Sequence, residues 1–221
     1  MELSQVFKRL LLAEINAIPH QKTGRPSQLS PEDAVDHIFK LLRTGMQWRE
    51  VNTTVNFTNL FRRFHKWANA GIFRNAYKRA LRTYKRLCPT KHYCIDSSYV
   101  KNRFGQVGVG KNHTDRGRKA LKLSVVTDQN GVCFSVTTDP GNRPDVTLLA
   151  SSLQGALLQL DRLPLYADRG YDSRANRAVC QRFGLADRIF RRRTKTVRRT
   201  NAKRIVIEHT FAWIQQFRRL L

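Results

Sequence analysis

Hydrophobic residues in the first 88 positions recur every three or four residues, the spacing of amphipathic helices. The clearest run begins at Ser30, a residue suited to cap a helix, which is followed by a proline and two acids. It ends at Thr44-Gly45, because glycine readily takes the left-handed conformation that closes a helix. The inward side of this predicted helix carries Val35, Ile38, Phe39 and Leu42.

Three more helices are predicted in this part of the chain, over about 1–20, 57–71 and 73–87. Short helices with basic outer faces and tight turns predict a helix-turn-helix-like DNA-binding domain over 1–88. The alternative is a plain helical bundle whose basic residues are merely solvated. The helix over 57–71 is expected to bury Phe57, Leu60, Phe61, Phe64, Trp67 and Ala68. The helix over 73–87 is expected to bury Ala76, Tyr77, Ala80, Leu81 and Tyr84.

The periodicity changes near 87–93, after which apolar runs typical of strands appear. An antiparallel meander followed by βαβ units predicts an α/β domain over 89–221, a mixed sheet with flanking helices. The predicted strands cover 92–101, 120–128, 132–141, 163–168 and 186–192, with a hairpin turn at 128–131. The predicted helices cover 145–160, 174–183 and 202–220.

Charge points to the class of partner. The chain has 41 Lys and Arg against 16 Asp and Glu, a formal net charge of +25. Such an excess repels itself unless a polyanion offsets it, so nucleic acid is the first candidate partner and an anionic membrane surface the second. No apolar run approaches the roughly 20 residues that span a bilayer, and Glu14 interrupts the short apolar patch near the N-terminus. Four scattered cysteines favour a reducing compartment over a disulfide framework.

Acids are scarce, yet two of them interrupt or end strongly apolar strands. Asp96 follows Tyr-Cys-Ile in the first predicted strand, and Asp168 follows Leu-Tyr-Ala in the fourth. If these strands are neighbours, the two carboxylates meet in one crevice of the sheet and repel each other. A divalent cation such as Mg²⁺ would remove the repulsion, because it prefers carboxylate oxygens. The alternative is that each aspartate caps a turn, as Asp168-Arg169-Gly170 suggests, and spacing alone leaves both interpretations open.

A third acid lies on the last predicted helix. At about 100° per residue, Glu208 falls on a polar stripe with Arg204, Gln215 and Arg219. One acid flanked by bases suits a metal ligand beside bound phosphate, whereas the alternative is an exposed glutamate paired with Arg204. The opposite face is expected to be buried and carries Val206, Ile207, Thr210, Trp213, Ile214, Phe217, Leu220 and Leu221.

Around these residues the chain resembles the insertion-sequence DDE transposases with an RNase H-like catalytic domain, from the group of insertion sequences four and five. The resemblance runs from about Arg25 to Leu221. It rests on several motifs in one order: LLRTGMQWREV, FRRFHKWANAGIF, CIDSSYVK, HTDRGRKALKLSVVTDQNG, TTDPGNRPDVTLL, YADRGYDS and RIVIEHTFAWIQQFRRL. It implies an RNase H-like fold in which Asp96, Asp168 and Glu208 form the catalytic, metal-binding triad.

The chain departs from the family pattern at two positions around the third acid. The family has Tyr, two residues, Arg, three residues, Glu, six residues and Lys. Arg204 and Glu208 keep this spacing, whereas Asn201 stands at the tyrosine position and Gln215 at the lysine position. Gln215 retains the ability to hydrogen-bond a phosphate, without the charge.

The resemblance implies a transposase that hydrolyses phosphodiester bonds at the ends of its element and transfers the freed 3′-OH into target DNA. It implies two Mg²⁺ or Mn²⁺ ions, terminal inverted repeats and target DNA as partners, a dimer on DNA, no membrane, and the cytoplasm of a bacterium. Two alternatives stay open. One is a truncated or inactive relative that holds terminal repeats without cutting, and the other is an RNase H-like nuclease that does not transpose.

Two basic runs, 111–122 and 187–204, are predicted to line the DNA cleft, although such runs are usually just solvated surface. His113 and His209 are expected to face DNA or to be structural rather than catalytic. The segment over 139–145 is predicted to be a rigid turn, and the sequence leaves open whether this turn contacts DNA. The predicted DNA-binding residues are Arg116, Arg118, Lys119, Arg169, Arg191, Arg192, Arg193, Lys195, Arg198, Arg199, Arg204 and Gln215.

Overall fold

The chain divides into two compact units, one ending at Cys88 and the other running from Pro89 to Gln216. No helix in the described ranges combines the length and the apolar character needed to cross a membrane. The computed structural model describes residues 3–19, 28–51, 56–101, 107–191 and 203–217.

In the described ranges, four helices build the first unit. Ser30 caps the second of them, because its hydroxyl accepts a hydrogen bond from the backbone N–H of Asp33 at 3.0 Å. Gly45 closes the same helix with φ of 71°, a left-handed conformation that glycine takes without strain. The helices are α1 (Leu3–Asn16), α2 (Pro31–Thr44), α3 (Phe57–Asn69) and α4 (Ile72–Leu87), with a 3₁₀ turn at Trp48–Glu50.

The core of the first unit is apolar. The predicted burial was wrong for Phe57 and Phe61, which are 37% and 40% exposed, and for Ala68, which is also exposed. α3 buries Leu60 and Trp67 as predicted, and Phe61 packs edge-on against Trp48 with ring centroids 5.1 Å apart. The fully buried side chains at the centre include Leu11, Val35, Ile38, Leu41 and Leu60.

One mixed sheet forms the second unit. β3 is antiparallel to both β1 and β4, β5 is parallel to β1, and β6 is parallel to β5. The order β4-β3-β1-β5-β6 confirms the predicted RNase H-like α/β class. The short β2, which pairs with the start of β3, was not predicted. The strands are β1 (Tyr93–Lys101), β2 (Gly110–Asn112), β3 (Arg118–Asp128), β4 (Cys133–Pro140), β5 (Pro164–Ala167) and β6 (Ala186–Ile189).

Among the described residues, three helices accompany this sheet. The helix predicted over 145–160 is present, but its predicted extent was wrong. A 3₁₀ turn at Asp145–Thr147 precedes it, and the helix then covers six residues. It ends because the backbone N–H of Leu157 donates to the carbonyl of Phe134 in β4, at 2.9 Å, instead of to a helical carbonyl. The helices are α5 (Leu149–Gln154), α6 (Arg174–Arg182) and α7 (Ile205–Ile214), the last shorter than the predicted 202–220 in the part of the chain that is described.

α7 packs on the sheet mainly with the predicted face, joined by Phe211, whose burial was not predicted. Ile207 and Thr210 are buried as predicted, and Val206 and Ile214 are partly buried and pack around Ile207. Trp213 and Phe217 are 73% and 44% exposed, so their predicted burial was wrong. Just before the helix, Arg204, predicted on the outer stripe, turns inward and is 9% exposed. The sheet residues under α7 are Cys94, Leu123, Val125 and Tyr166.

Candidate active site

The sheet brings Asp96 and Asp168 to neighbouring strands. In the parallel pair β1–β5, Cys94 lies opposite Tyr166, and each aspartate is two residues further along the chain. Because strand side chains alternate, Asp96 is on the same face as Cys94, the face that α7 covers. Asp168 is the first residue after β5. The two carboxylates therefore converge under the start of α7.

Arg204 bridges the two carboxylates. Its Nη2 donates to Asp96 Oδ2 at 2.9 Å, and its Nη1 lies 3.8 Å from Asp168 Oδ1. The Arg204 side chain is 11% exposed, against 23% for Asp96 and 51% for Asp168. A buried charge needs a partner, and the guanidinium provides one for each of the two carboxylates, with Asp96 the closer.

Asp96 has a perturbed pKa. Burial raises the pKa of this carboxyl above its usual value, and the nearby charge of Asp168 raises it further. The charge of Arg204 and a hydrogen bond of 2.8 Å from the backbone N–H of Ser97 act in the opposite direction. The site is thus a desolvated place where an added positive charge stabilises the ionised acid.

Asp168 also caps the 3₁₀ turn at Arg169–Tyr171, because its Oδ1 accepts a hydrogen bond from the backbone N–H of Arg169. The sequence left two interpretations open for this residue, a turn cap and a carboxylate that meets Asp96 at a metal site. In the structure Asp168 forms the cap, and the same carboxylate lies 3.8 Å from the guanidinium that contacts Asp96, while its metal role stays a prediction.

Glu208 lies on α7, one turn after Arg204, and is exposed. It makes no hydrogen bond or ion pair with any described residue, so the alternative pairing with Arg204 is not formed. Within the described ranges, no three His, Cys, Asp or Glu side chains are grouped closely enough to hold a metal ion. The structure therefore joins two of the three predicted ligands and leaves the third on the adjacent turn of the helix.

The two joined acids suit a divalent cation. Their carboxylates already share one cationic group, Arg204, which supplies the positive charge that two neighbouring anions require. Carboxylate oxygens are also the donors that Mg²⁺ and Mn²⁺ prefer. The donor set and its electrostatics thus fit the group that the sequence predicted.

Behind this site lies a polar network that sequence reasoning missed. Lys122, on β3, donates to Asp145 Oδ1 and to the carbonyl of Arg143, each at 2.9 Å. The same carboxylate oxygen accepts from Ser97 Oγ at 2.5 Å. A lone lysine inside the apolar run ALKLSVV was the signal in the sequence, because a buried lysine needs a partner.

The predicted DNA-binding residues at the start of β3 lie on the surface. Arg116, Arg118 and Lys119 are exposed, and Arg118 is 3.6 Å from the carboxylate of Asp115. His113, in the adjoining 3₁₀ turn, is also exposed. These residues are available to a polyanion.

The remaining predicted DNA-binding residues differ in their surroundings. Arg169 and Arg191 are exposed, and Gln215 donates to Ser98 Oγ at 3.1 Å. Arg204 is the exception, because both arms of its guanidinium face carboxylates. The predicted DNA-binding residues that lie outside the described ranges are Arg192, Arg193, Lys195, Arg198 and Arg199.

The fold is that of an RNase H-like domain, and comparison with known proteins agrees. Residues 88–221 match the family described as "Transposase DDE domain", and residues 8–77 match "Putative transposase of IS4/5 family". The "Putative transposase for insertion sequence element IS402" of Burkholderia cepacia is 36% identical over 143 residues, which cover 61% of this chain and 65% of that protein.

A solved structure is also similar, a piggyBac transposase synaptic complex with hairpin DNA. The alignment covers 89% of this chain and 50% of that chain, with a TM-score of 0.42 and 13% identity, a likeness too weak to carry an argument. The family models settle the assignment: the chain belongs to the DDE transposases of the IS4/5 group. It spans about 65% of the length of the curated relative that it matches.

Proposed function

We propose that this protein is a DNA transposase that hydrolyses phosphodiester bonds at the ends of its element and joins the freed 3′-OH to target DNA. The observation that carries the proposal is the convergence of Asp96 and Asp168 around Arg204 in a chain of this family. The net charge of +25 supports DNA as the partner, because a protein that neutralises many phosphates releases their counterions.

Three acids are proposed to hold two divalent ions, Mg²⁺ or Mn²⁺. They are Asp96, Asp168 and Glu208, and members of this family generally use divalent metals. When bound, such ions would supply the charge stabilisation and the activated oxygen nucleophile of phosphoryl transfer. Glu208 is exposed one turn from Arg204, so we propose that it joins the two aspartates when DNA binds.

Each group in the site has a proposed task of its own. Arg204 keeps Asp96 and Asp168 close together and offsets one of their two negative charges, which leaves the site able to accept a cation. Arg204, once released from the carboxylates, donates hydrogen bonds to a DNA phosphate, for which its planar guanidinium is well suited. The desolvation of Asp96 strengthens its interaction with a cation, because the local dielectric is low.

The surroundings of the site are proposed to bind DNA without reading its sequence. Arg116, Arg118 and Lys119 would contact phosphates, which fixes the register of DNA on the protein. The helical unit would hold the terminal repeats, and two copies of the chain would act together on paired ends. Four free cysteines support a reducing compartment, the cytoplasm.

The test uses the full chain, Mn²⁺ and a plasmid carrying the inverted repeats that flank the gene. Wild-type protein should give nicked and joined products, whereas Asp168→Asn should bind the DNA and give none. Asp172→Asn is the matched control, since that carboxylate is in the same loop but pairs with Arg177 at 2.7 Å. Equal activity of Asp168→Asn and wild type would rule out the proposed site, and binding without any cleavage by wild type would favour the inactive relative.

A further inference from the structure

Lys122 is a buried charge on the face of the sheet opposite α7. It lies across from Tyr99 in the β1–β3 pair, and its ammonium is 4.8 Å from the centre of that ring. Its side chain is 5% exposed, and its two hydrogen bonds go to the Arg143 carbonyl and the Asp145 carboxylate. Burying a cation costs free energy, and a chain with so many surface cations does not need this one for its net charge. The role of this lysine is therefore in the interactions that it makes with its neighbours.

The carboxylate of Asp145 connects Lys122 to the strand that carries Asp96. Its Oδ1 accepts from Lys122 Nζ and from Ser97 Oγ, so a single oxygen links the lysine to the serine. Ser97 points to the face opposite Asp96, while its backbone N–H donates to Asp96 Oδ1 at 2.8 Å. The position of one candidate catalytic carboxylate is thereby tied to Asp145 through a single residue.

The other oxygen of Asp145 faces the turn that follows Asp168. A Cβ added at Gly170 would lie 3.1 Å from Asp145 Oδ2, so the backbone of this turn rests closely against the carboxylate. Asn176 links the residue after Asp145 to the turn after Asp168, because its Nδ2 donates to the carbonyls of Val146 at 3.0 Å and Tyr171 at 2.8 Å. Asp145 is therefore in contact with the supports of both candidate catalytic acids.

We infer that Lys122 and Asp145 form a positioning pair that sets the separation of the Asp96 and Asp168 carboxylates from behind the sheet. Neither residue touches the reacting atoms. Their task is to hold Ser97 and the turn at Gly170 in place when the charge between the two aspartates changes. The inference rests on the proposed function, since it concerns the same two acids.

The test measures Mn²⁺ binding and DNA cleavage separately on the full chain. Ser97→Ala breaks the connection to Asp96 without leaving a buried charge unpaired, and Ser97→Thr keeps the hydroxyl. Asp145→Asn removes the charge and keeps the shape. Ser152→Ala is the control, because this buried hydroxyl on the same side of the sheet bonds Ser124 Oγ at 2.7 Å and makes no contact with the proposed pair.

Ser97→Ala and Asp145→Asn should each weaken Mn²⁺ binding by about 10-fold and lower kcat similarly, with the Kd for DNA unchanged. Higher Mn²⁺ should restore part of the rate of both variants. Ser97→Thr and Ser152→Ala should match wild type in Mn²⁺ affinity. A network with a merely structural role would not predict this difference between Ser97→Ala and Ser152→Ala.

Wild-type Mn²⁺ affinity in Ser97→Ala and in folded Asp145→Asn would overturn the positioning role. If Asp145→Asn does not fold, as judged by circular dichroism, the Ser97 pair alone decides. Failure of the proposed function looks different: wild type and Asp168→Asn would then behave alike in cleavage, whatever the network variants do to Mn²⁺ binding.

Discussion

The two units of this protein differ in what they bury. In the first unit, the ion pair Lys8–Asp36 lies at the surface, and the described core is apolar. In the second, charged groups are held inside, where weak screening makes their interactions strong. Among the described residues, the buried polar ones all belong to the second unit: Asn112, Lys122, Ser124, Thr127, Asp128, Ser135, Ser152, Asn176, Arg204 and Thr210.

This difference shows where the fold keeps its chemistry. An apolar core is sufficient to orient helices whose basic faces are turned to solvent. A site that must control charged ligands needs desolvated charges in fixed positions, and these lower stability unless every one is paired. We expect the two units to respond differently to the loss of one charge and alike to purely local changes.

The largest effect is expected from Arg204→Met. This change leaves Asp96 desolvated and close to Asp168 without a cation, so it should lower the free energy of unfolding by about 3 kcal/mol or more. Lys8→Met removes the more exposed pair with Asp36 from the first unit and should cost less than about 1 kcal/mol. Urea denaturation at pH 7 measures both, and equal losses would contradict the distinction between the units.

Apolar packing should dominate the first unit. Leu60→Ala empties a fully buried position and should destabilise the protein by about 3 kcal/mol. Phe61→Ala, at a position that is 40% exposed, should cost roughly half of that or less although more atoms are removed. The comparison is made by urea denaturation, and a larger loss for Phe61 would mean that the unit's core lies elsewhere.

Divalent metal should stabilise only the second unit. At 100 times its Kd, Mn²⁺ should add about 2.7 kcal/mol, and removal by EDTA should reverse the gain. Hydrogen exchange assigns the protection to a unit, and Asp168→Asn is the control that should lose it. Protection of the helices before Cys88 would show that the ion binds at a different place.

Helix caps should give small effects, equal in the two units. Ser30 accepts from the backbone N–H of Asp33 and Ser173 from that of Asn176, each at 3.0 Å. Alanine at either position should lower the free energy of unfolding by about 1 kcal/mol, because each change leaves one backbone N–H without its acceptor. Thermal unfolding of the two variants gives the comparison, and markedly unequal shifts would show that a cap is coupled to more than its own helix.

Much of the fold was predictable because its determinants are local. Alternation and helical spacing placed the strands and helices, and caps such as Ser30 marked where they begin. The prediction failed where a distant strand intervened: α5 stops early because Leu157 finds its hydrogen-bond partner in Phe134 of β4. Periodicity carries no information about such a partner.

The sequence by itself determined that Asp96 lies within one apolar strand and Asp168 directly after another, and the pairing of β1 with β5 then brought them close together. Tertiary structure alone decided that Arg204 turns inward between them, that Glu208 stays exposed, and that Lys122 and Asp145 pair behind the sheet. Arg204 and Asp96 are 108 positions apart, and Ser97 and Asp145 are 48 apart. Contacts over such separations depend on strand register and helix rotation, which the packing of the whole unit sets and no local pattern encodes.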